Sequence, residues 1–217
     1  MIVIVDYGMG NLRSILTKLQ RFDIDAMISA DPGDIKAADR LILPGVGHFA
    51  AAMDNLNRRG LIPALNEKVV DDRTPILGIC LGHQLFSKWS EEGNVAGLGW
   101  VDAQTIKFNF NGSDNGSCID NNSCNGDGLK IPHMGWNTIR IEKPTPILEG
   151  IEDGSRYYFV HSYHVRCNDP ADVIAKTAYG MDFVSILQHD NIYGIQFHPE
   201  KSHNRGINIL KNFAESG

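Results

Sequence analysis

Cysteine is scarce in this chain of 217 residues: Cys80, Cys118, Cys124 and Cys167 are too few and too unevenly spaced for a secreted disulfide framework, and no CxxC pair marks a zinc site. Reduced thiols are expected. The eight histidines include no HExxH or comparable chelating pair, so neither a metal nor another cofactor is expected. Basic residues are outnumbered, 20 against 26 acidic, and no Lys- or Arg-rich stripe is present to neutralise a nucleic-acid backbone. Long apolar runs are missing as well, since nothing approaches the roughly 20 residues that cross a bilayer. The segment Met1–Asp6 has neither the basic start nor the apolar length of a secretion signal. The expectation is a cytoplasmic protein with no membrane and no nucleic-acid partner.

What the chain does have is alternation. A hydrophobic content of 42% suffices for one well-buried domain, and no composition break divides 1–217. Buried-strand runs at Ile2–Val5, Arg40–Leu43 and Thr74–Ile79 alternate with apolar residues at helical spacing: Leu12, Ile15, Leu16 and Leu19, then Phe49, Met53 and Leu56, then Leu81–Trp89. That pattern predicts βαβ units, hence an α/β fold with a mostly parallel central sheet flanked by helices. From about Thr138 the pattern turns strand-rich, with Thr138–Ile141, Tyr157–His161, Val173–Thr177, Val184–Gln188 and Ile192–Phe197 expected to add hairpins to this sheet or beside it. Ile207, Leu210 and Phe213 predict a closing helix. The stretch 109–128, rich in Asn, Gly, Ser and Asp, has no period and is expected to be a mobile insertion.

In Gly78-Ile79-Cys80-Leu81-Gly82-His83-Gln84, small residues flank a cysteine where a buried strand is expected to turn sharply into a helix, the mechanical arrangement of a nucleophile elbow. A helix N-terminus there favours the thiolate, and the N–H of Leu81 is aimed where an oxyanion forms. Taken alone, Cys80 reads equally well as a small buried hydrophobe. A candidate base stands in Gly194-Ile195-Gln196-Phe197-His198-Pro199-Glu200, where another strand runs into a proline turn. Because the carboxyl ends of parallel strands line one crevice, Cys80 and His198 can meet across their separation in sequence, with Glu200 accepting the other imidazole N–H. Each has a bland reading, as packed thiol, structural histidine and solvated carboxylate. The three together point to nucleophilic catalysis. A third strand end, Leu43-Pro44-Gly45-Val46-Gly47-His48-Phe49, offers glycines that permit unusual backbone angles and N–H groups suited to an oxyanion. The competing phosphate-loop reading lacks both GKS or GKT and GxGxxG.

These segments, PGVGHF at 44–49, GICLGHQLF at 78–86 and GIQFHPEKS at 194–202, resemble the three signatures of class I glutamine amidotransferases, in the same order. More narrowly, DYGMGNLRSI at 6–15, KIPHMGWN at 130–137 and YYFVHSYHV at 157–165 resemble the glutaminase subunit of imidazole glycerol phosphate synthase, the ammonia supplier in histidine biosynthesis. The resemblance implies a flavodoxin-like single amidotransferase domain over 1–217, a triad of Cys80, His198 and Glu200, and an oxyanion hole from the backbone N–H groups of Val46 and Leu81. It implies that L-glutamine is held by Gly47, Gln84, Glu92, His161, Ser162 and Tyr163. It also implies a heterodimer with a cyclase subunit built as a (β/α)8 barrel, faced by Asn11, Pro132, Met134, Trp136 and Lys201. For Met134 and Trp136 a core position, and for Lys201 a solvated charge, are the competing readings.

Two departures bear on the acceptor. His83 stands where such glutaminases often carry methionine, and the 109–128 insertion enters just before KIPHMGWN. The alternative is therefore a glutaminase feeding an ATP-dependent sugar amidotransferase in surface-polysaccharide synthesis. A cysteine peptidase or γ-glutamyl hydrolase shares the nucleophile and base, and a catalytically silent regulatory module shares the fold, although the intact triad argues against silence.

Overall fold

The computed structural model describes residues 1–110 and 129–216, so the expected insertion at 109–128 lies, beyond Phe110, outside the described residues. Strand β1 (Ile2–Val5) leads to α1 (Leu12–Gln20), β2 (Ala26–Ser29), α2 (Pro32–Ala37), β3 (Arg40–Gly45), α3 (Phe49–Arg58), α4 (Ile62–Asn66), β4 (Ile76–Cys80) and the single turn α5 (Leu81–Gln84). Short strands β5 (Trp89–Ser90), β6 (Val95–Ala96) and β7 (Ala103–Lys107) follow. The second described segment holds β8 (His133–Thr138), β9 (Arg140–Ile141), β10 (Arg156–His161), β11 (Tyr163–Cys167), β12 (Val173–Ala178), β13 (Asp182–His189), β14 (Ile192–Ile195) and α6 (His203–Glu215).

The central sheet runs β2-β1-β3-β4-β14-β13-β12-β9 among the described residues. Its first five strands are parallel, and the last three join antiparallel. This is the expected mostly parallel α/β sheet with a strand-rich C-terminal half. Strands buried on both faces carry apolar residues throughout, as in IVIV of β1, because helices or smaller sheets cover each side. Ile2 and Ile4 of β1 join Ile15 and Leu19 of α1 and Leu210 and Phe213 of α6 in one core layer. Val3 and Val5 join Ile35 of α2 and Phe49, Ala52 and Leu56 of α3 in the other. The strand period of two thus sends alternate β1 side chains to opposite cores. Beside the main sheet lie an antiparallel pair, β10-β8, and a four-stranded sheet, β11-β7-β5-β6.

Two expectations are corrected. The helix expected over Leu81–Trp89 stops at Gln84, because loop and strand backbone compete for its next residues: Leu98 donates to Leu85, Val101 to Phe86, and Lys88 donates to Ala103. Tertiary bonding overrides local propensity here. The strand expected over Thr138–Ile141 is split, Thr138 ending β8 in the small pair while Arg140 and Ile141 edge the main sheet.

Candidate active site

Three adjacent parallel strands, β3, β4 and β14, bring three segments together at their carboxyl ends. Gly45 of β3 lies opposite Cys80 of β4, and Ile79 of β4 opposite Ile195 of β14. The chain then continues from β3 into Val46 and Gly47, and from β14 through Gln196 to His198. Sequence distance is cancelled by strand order, as expected for the crevice outside a parallel sheet.

Cys80 sits at φ 54°, ψ −109°, a conformation that side-chain-bearing residues avoid. The chain is held there by close packing on either side of Cys80. A Cβ on Gly82 would lie 1.7 Å from the Leu43 carbonyl oxygen, and one on Gly78 would lie 2.5 Å from the Phe86 ring, so only glycine admits this approach of turn to sheet. Gly78 pairs directly with Gly194 of β14, and the ring of His83 occupies the space beside them. His83 is fully buried, and burial pushes its pKa down to about 4, leaving a neutral core histidine behind the nucleophile. The turn after Cys80 is only four residues long, so the helix macrodipole contributes little to the thiolate.

A nearby cation supplies the charge instead. Nδ1 of His198 lies 3.0 Å from Oε1 of Glu200, both side chains being buried. Burial opposes a proton on His198, but the charge of Cys80 and its polar contact, with the hydrogen-bonded carboxylate of Glu200, outweigh it and hold the pKa up to about 10. A thiolate is the nucleophilic form of cysteine, and an adjacent imidazolium favours it. Nε2 of His198 has no full hydrogen bond among the described residues, and catalytic contacts are commonly loose until substrate binds. The ring is fixed from behind: its backbone N–H donates to the Tyr158 carbonyl at 2.9 Å, and the Ser202 hydroxyl donates to the His198 carbonyl at 2.6 Å.

Cys80, Leu81 and His198 open into a cavity of about 300 Å³ that is also lined by Val46, Gly47, Gln84, Glu92, His161, Ser162 and Tyr163. Every residue expected from sequence to hold substrate therefore lines one cavity with Cys80 and His198. Gln84 donates through Nε2 to the Tyr163 carbonyl at 2.9 Å and to Oε1 of Gln196 at 3.0 Å. Glu92 accepts from the Phe49 N–H at 2.7 Å, which ties the start of α3, and so the Val46–Gly47 loop, to the opposite wall. The Ser162 carbonyl accepts from Phe108, which in a planar trans peptide turns the Tyr163 N–H the other way.

Gln196 went unread in the sequence. Buried, it donates to Sγ of Cys80 at 3.7 Å. A signal existed: Gln196 and His198 are two residues apart at a strand end, which places them on one face.

The residues expected to face a partner are exposed: Asn11, Pro132, Met134, Trp136 and Lys201. Met134 is 63% and Trp136 39% accessible, which disposes of the core reading for both. Trp136 stacks on His203 at 5.0 Å and meets Tyr158 edge-on, while the Lys201 ammonium lies over that Tyr158 ring at 5.8 Å. Pro132 lines the cavity as well, and the Asn11 side chain accepts from the Ser14 hydroxyl. Among the described residues no three His, Cys, Asp or Glu side chains converge as metal ligands, and no helix is long and apolar enough to cross a membrane.

The model of the glutamine amidotransferase class-I family matches residues 3–216. An imidazole glycerol phosphate synthase subunit HisH 2 of Methanococcus maripaludis is 45% identical over 213 residues, spanning 98% of each chain. A subunit HisH 1 of Campylobacter jejuni subsp. jejuni is 46% identical over 215 residues, 99% of each, and a HisH 2 of Pseudomonas aeruginosa 43% over the same length. Among solved structures, a glutamine amidotransferase superposes with a TM-score of 0.70 at 16% identity, covering 98% of this chain and 99% of the other. PurLQS from Thermotoga maritima gives 0.64 at 17%, covering 98% and 96%. These last two speak to the fold alone.

Proposed function

Because this chain belongs to the class I glutamine amidotransferases, we propose that it is the glutaminase subunit of imidazole glycerol phosphate synthase, hydrolysing L-glutamine and supplying ammonia to the cyclase subunit in histidine biosynthesis. One observation carries the chemistry. Cys80 and His198, brought together by neighbouring strands, share an amino-acid-sized cavity, and Glu200 is hydrogen-bonded to the His198 ring beside it.

In this reading Sγ of Cys80 attacks the side-chain carbonyl carbon of glutamine, and the carbonyl electrons move onto oxygen. The N–H groups of Val46 and Leu81 stabilise that oxyanion. His198 then passes its Nε2 proton to the departing nitrogen, the C–N bond breaks and ammonia leaves a thioester on Cys80. Neutral His198 takes a proton from water, the hydroxide adds to the thioester carbon, and collapse of the second tetrahedral intermediate breaks the C–S bond, releasing glutamate. Glu200 holds the ring in the donating orientation and steadies its positive charge. Glu92 suits the substrate's ammonium group, because one carboxylate oxygen is held by Phe49 and no hydrogen bond from the described residues reaches the other. The exposed pair Met134 and Trp136, with Lys201 over the neighbouring Tyr158 ring, offers an apolar patch with a basic rim suited to docking the cyclase subunit.

Ammonia release from glutamine, measured for the chain alone and with a histidine-pathway cyclase subunit plus its ribonucleotide ligand, tests the proposal. Strong stimulation is expected. Hydrolysis that the cyclase never stimulates would move the acceptor to a sugar-amidating enzyme, and preference for γ-glutamyl peptides over free glutamine would overturn the amidotransferase reading.

A further inference from the structure

At the cavity wall, four groups, Asn137, His133, His161 and the Tyr163 carbonyl, form a continuous hydrogen-bonded line whose direction is fixed at both ends. At one end Asn137 of β8 is oriented without ambiguity: its Oδ1 accepts from the Thr138 N–H at 2.8 Å, and its Nδ2 donates to the Ala178 carbonyl at 2.9 Å. Nδ2 therefore acts as a donor toward Nε2 of His133, 3.3 Å away, and that ring nitrogen must accept. A neutral His133 then carries its proton on Nδ1, which lies 3.1 Å from Nε2 of His161. At the other end Nδ1 of His161 faces the Tyr163 carbonyl at 2.8 Å, and a carbonyl only accepts, so His161 carries its proton on Nδ1 and accepts on Nε2. The two ends impose the same direction on the line.

The rings are held in register. His133 and His161 are direct partners in the β10–β8 pair, and the His133 ring is stacked between Phe159 at 4.9 Å and Tyr179 at 4.0 Å. Burial disfavours charge on both, so each stays a neutral relay member near neutral pH. Tyr179 in turn donates to the Lys130 carbonyl and accepts from its N–H, anchoring the entry to β8. Strand alternation gives β8 two opposed faces: His133 and Asn137 point inward to this line, Met134 and Trp136 outward.

We infer that His133 is a positioning residue for glutamine: by donating to His161 it fixes that ring, and with it the Tyr163 carbonyl and the 161–163 wall of the cavity, tying the wall to the strand whose outer face carries Met134 and Trp136. The inference rests on the glutamine cavity proposed above. It makes β8 the element through which a partner seated on Met134 and Trp136 alters substrate affinity, since moving β8 moves the donor to His161.

The first test uses the native chain: ¹⁵N-resolved histidine NMR is expected to show both His133 and His161 protonated on Nδ1, and an Nε2–H form of either ring overturns the inference. The second compares His133→Leu, which removes the donor, with His133→Asn, whose amide nitrogen can replace Nδ1. In the chain assembled with its cyclase subunit, His133→Leu is expected to raise KM for glutamine about tenfold with kcat within about threefold, and His133→Asn to restore most of the KM. Equal KM in both variants and the native chain, with activity following only the folded fraction, reduces His133 to packing and overturns the inference. Absence of glutamine hydrolysis by the native assembly would instead remove the proposed function while leaving the NMR result standing.

Discussion

Gln196 touches Cys80 from the strand end that also carries His198: its Nε2 donates to Sγ of Cys80 at 3.7 Å while its Oε1 accepts from Gln84 at 3.0 Å. The amide is fully buried, so protein groups alone satisfy it on this side of the cavity. Gln196→Leu removes both bonds and leaves one Gln84 donor bond unmade, an expected loss of about 1–3 kcal/mol in urea unfolding together with lower kcat/KM. Gln196→Glu sets a second negative charge against the sulfur and is expected to be worse in rate than in stability. Two variants indistinguishable from the native chain in both measurements would remove Gln196 from the site.

The backbone of Cys80 makes a separate prediction. At φ 54° a Cβ is strained, so Cys80→Gly is expected to be at least as stable as Cys80→Ala, where a relaxed strand position would make glycine less stable by about 0.5–1 kcal/mol. Both variants should lose ammonia release. Guanidinium melts of the two, compared side by side, read the strain directly, and a less stable glycine variant by that full margin would mean there is none.

The His198 proton sets a pH window. Burial alone would lower its pKa, yet Cys80 and Glu200 hold it up to about 10, against an ordinary value of about 6.5. A raised pKa means that the stabilisation from this pairing is complete below about pH 6.5 and is lost as pH rises through about 10. Glu200→Gln keeps an acceptor for Nδ1 but removes the charge, so the titration of His198, followed by the NMR shift of its Cε1 proton, is expected to move to lower pH. An unmoved titration would show that Glu200 does not support the imidazolium.

Met134, at 63% accessibility, carries a prediction about partners. Met134→Ser should leave the fold's stability within about 0.5 kcal/mol, because the side chain packs little, and should weaken cyclase binding about tenfold or more if the outer face of β8 is the seat of the partner. Calorimetric titration of the variant against the cyclase decides it.

Much of this architecture was legible because its elements bury whole faces. The strands at Ile2–Val5, Arg40–Gly45 and Ile76–Cys80 are short, nearly continuous apolar runs, and the helices starting at Leu12 and Phe49 follow the apolar period of 3.6 closely, so their position needed no long-range information. The three strand ends could likewise be placed at one crevice once a parallel sheet was inferred. What failed was set by distant partners. Leu81–Trp89 has helical spacing, but loop 97–101 takes its backbone bonds; His133–Thr138 alternates in the inverted sense, with His133 and Asn137 turned inward and Met134 and Trp136 outward, so its pattern does not read as a buried strand. Gln196 was within reach of the alternation rule, whereas the His133–His161 register depends on a pairing between strands that nothing local announces.

The order in which the strands are made differs from the order in which they lie. Strand β14, made late in synthesis, slots directly beside β4, which was finished more than a hundred residues earlier. A ribosome that has delivered everything before Ile192 has therefore exposed Cys80 with its turn and loop but without His198, Glu200 or Gln196. Under the proposed mechanism such a chain has no means of consuming glutamine. On that mechanism activity needs the chain through Glu200, so a product interrupted before Ile192 is inert with respect to ammonia.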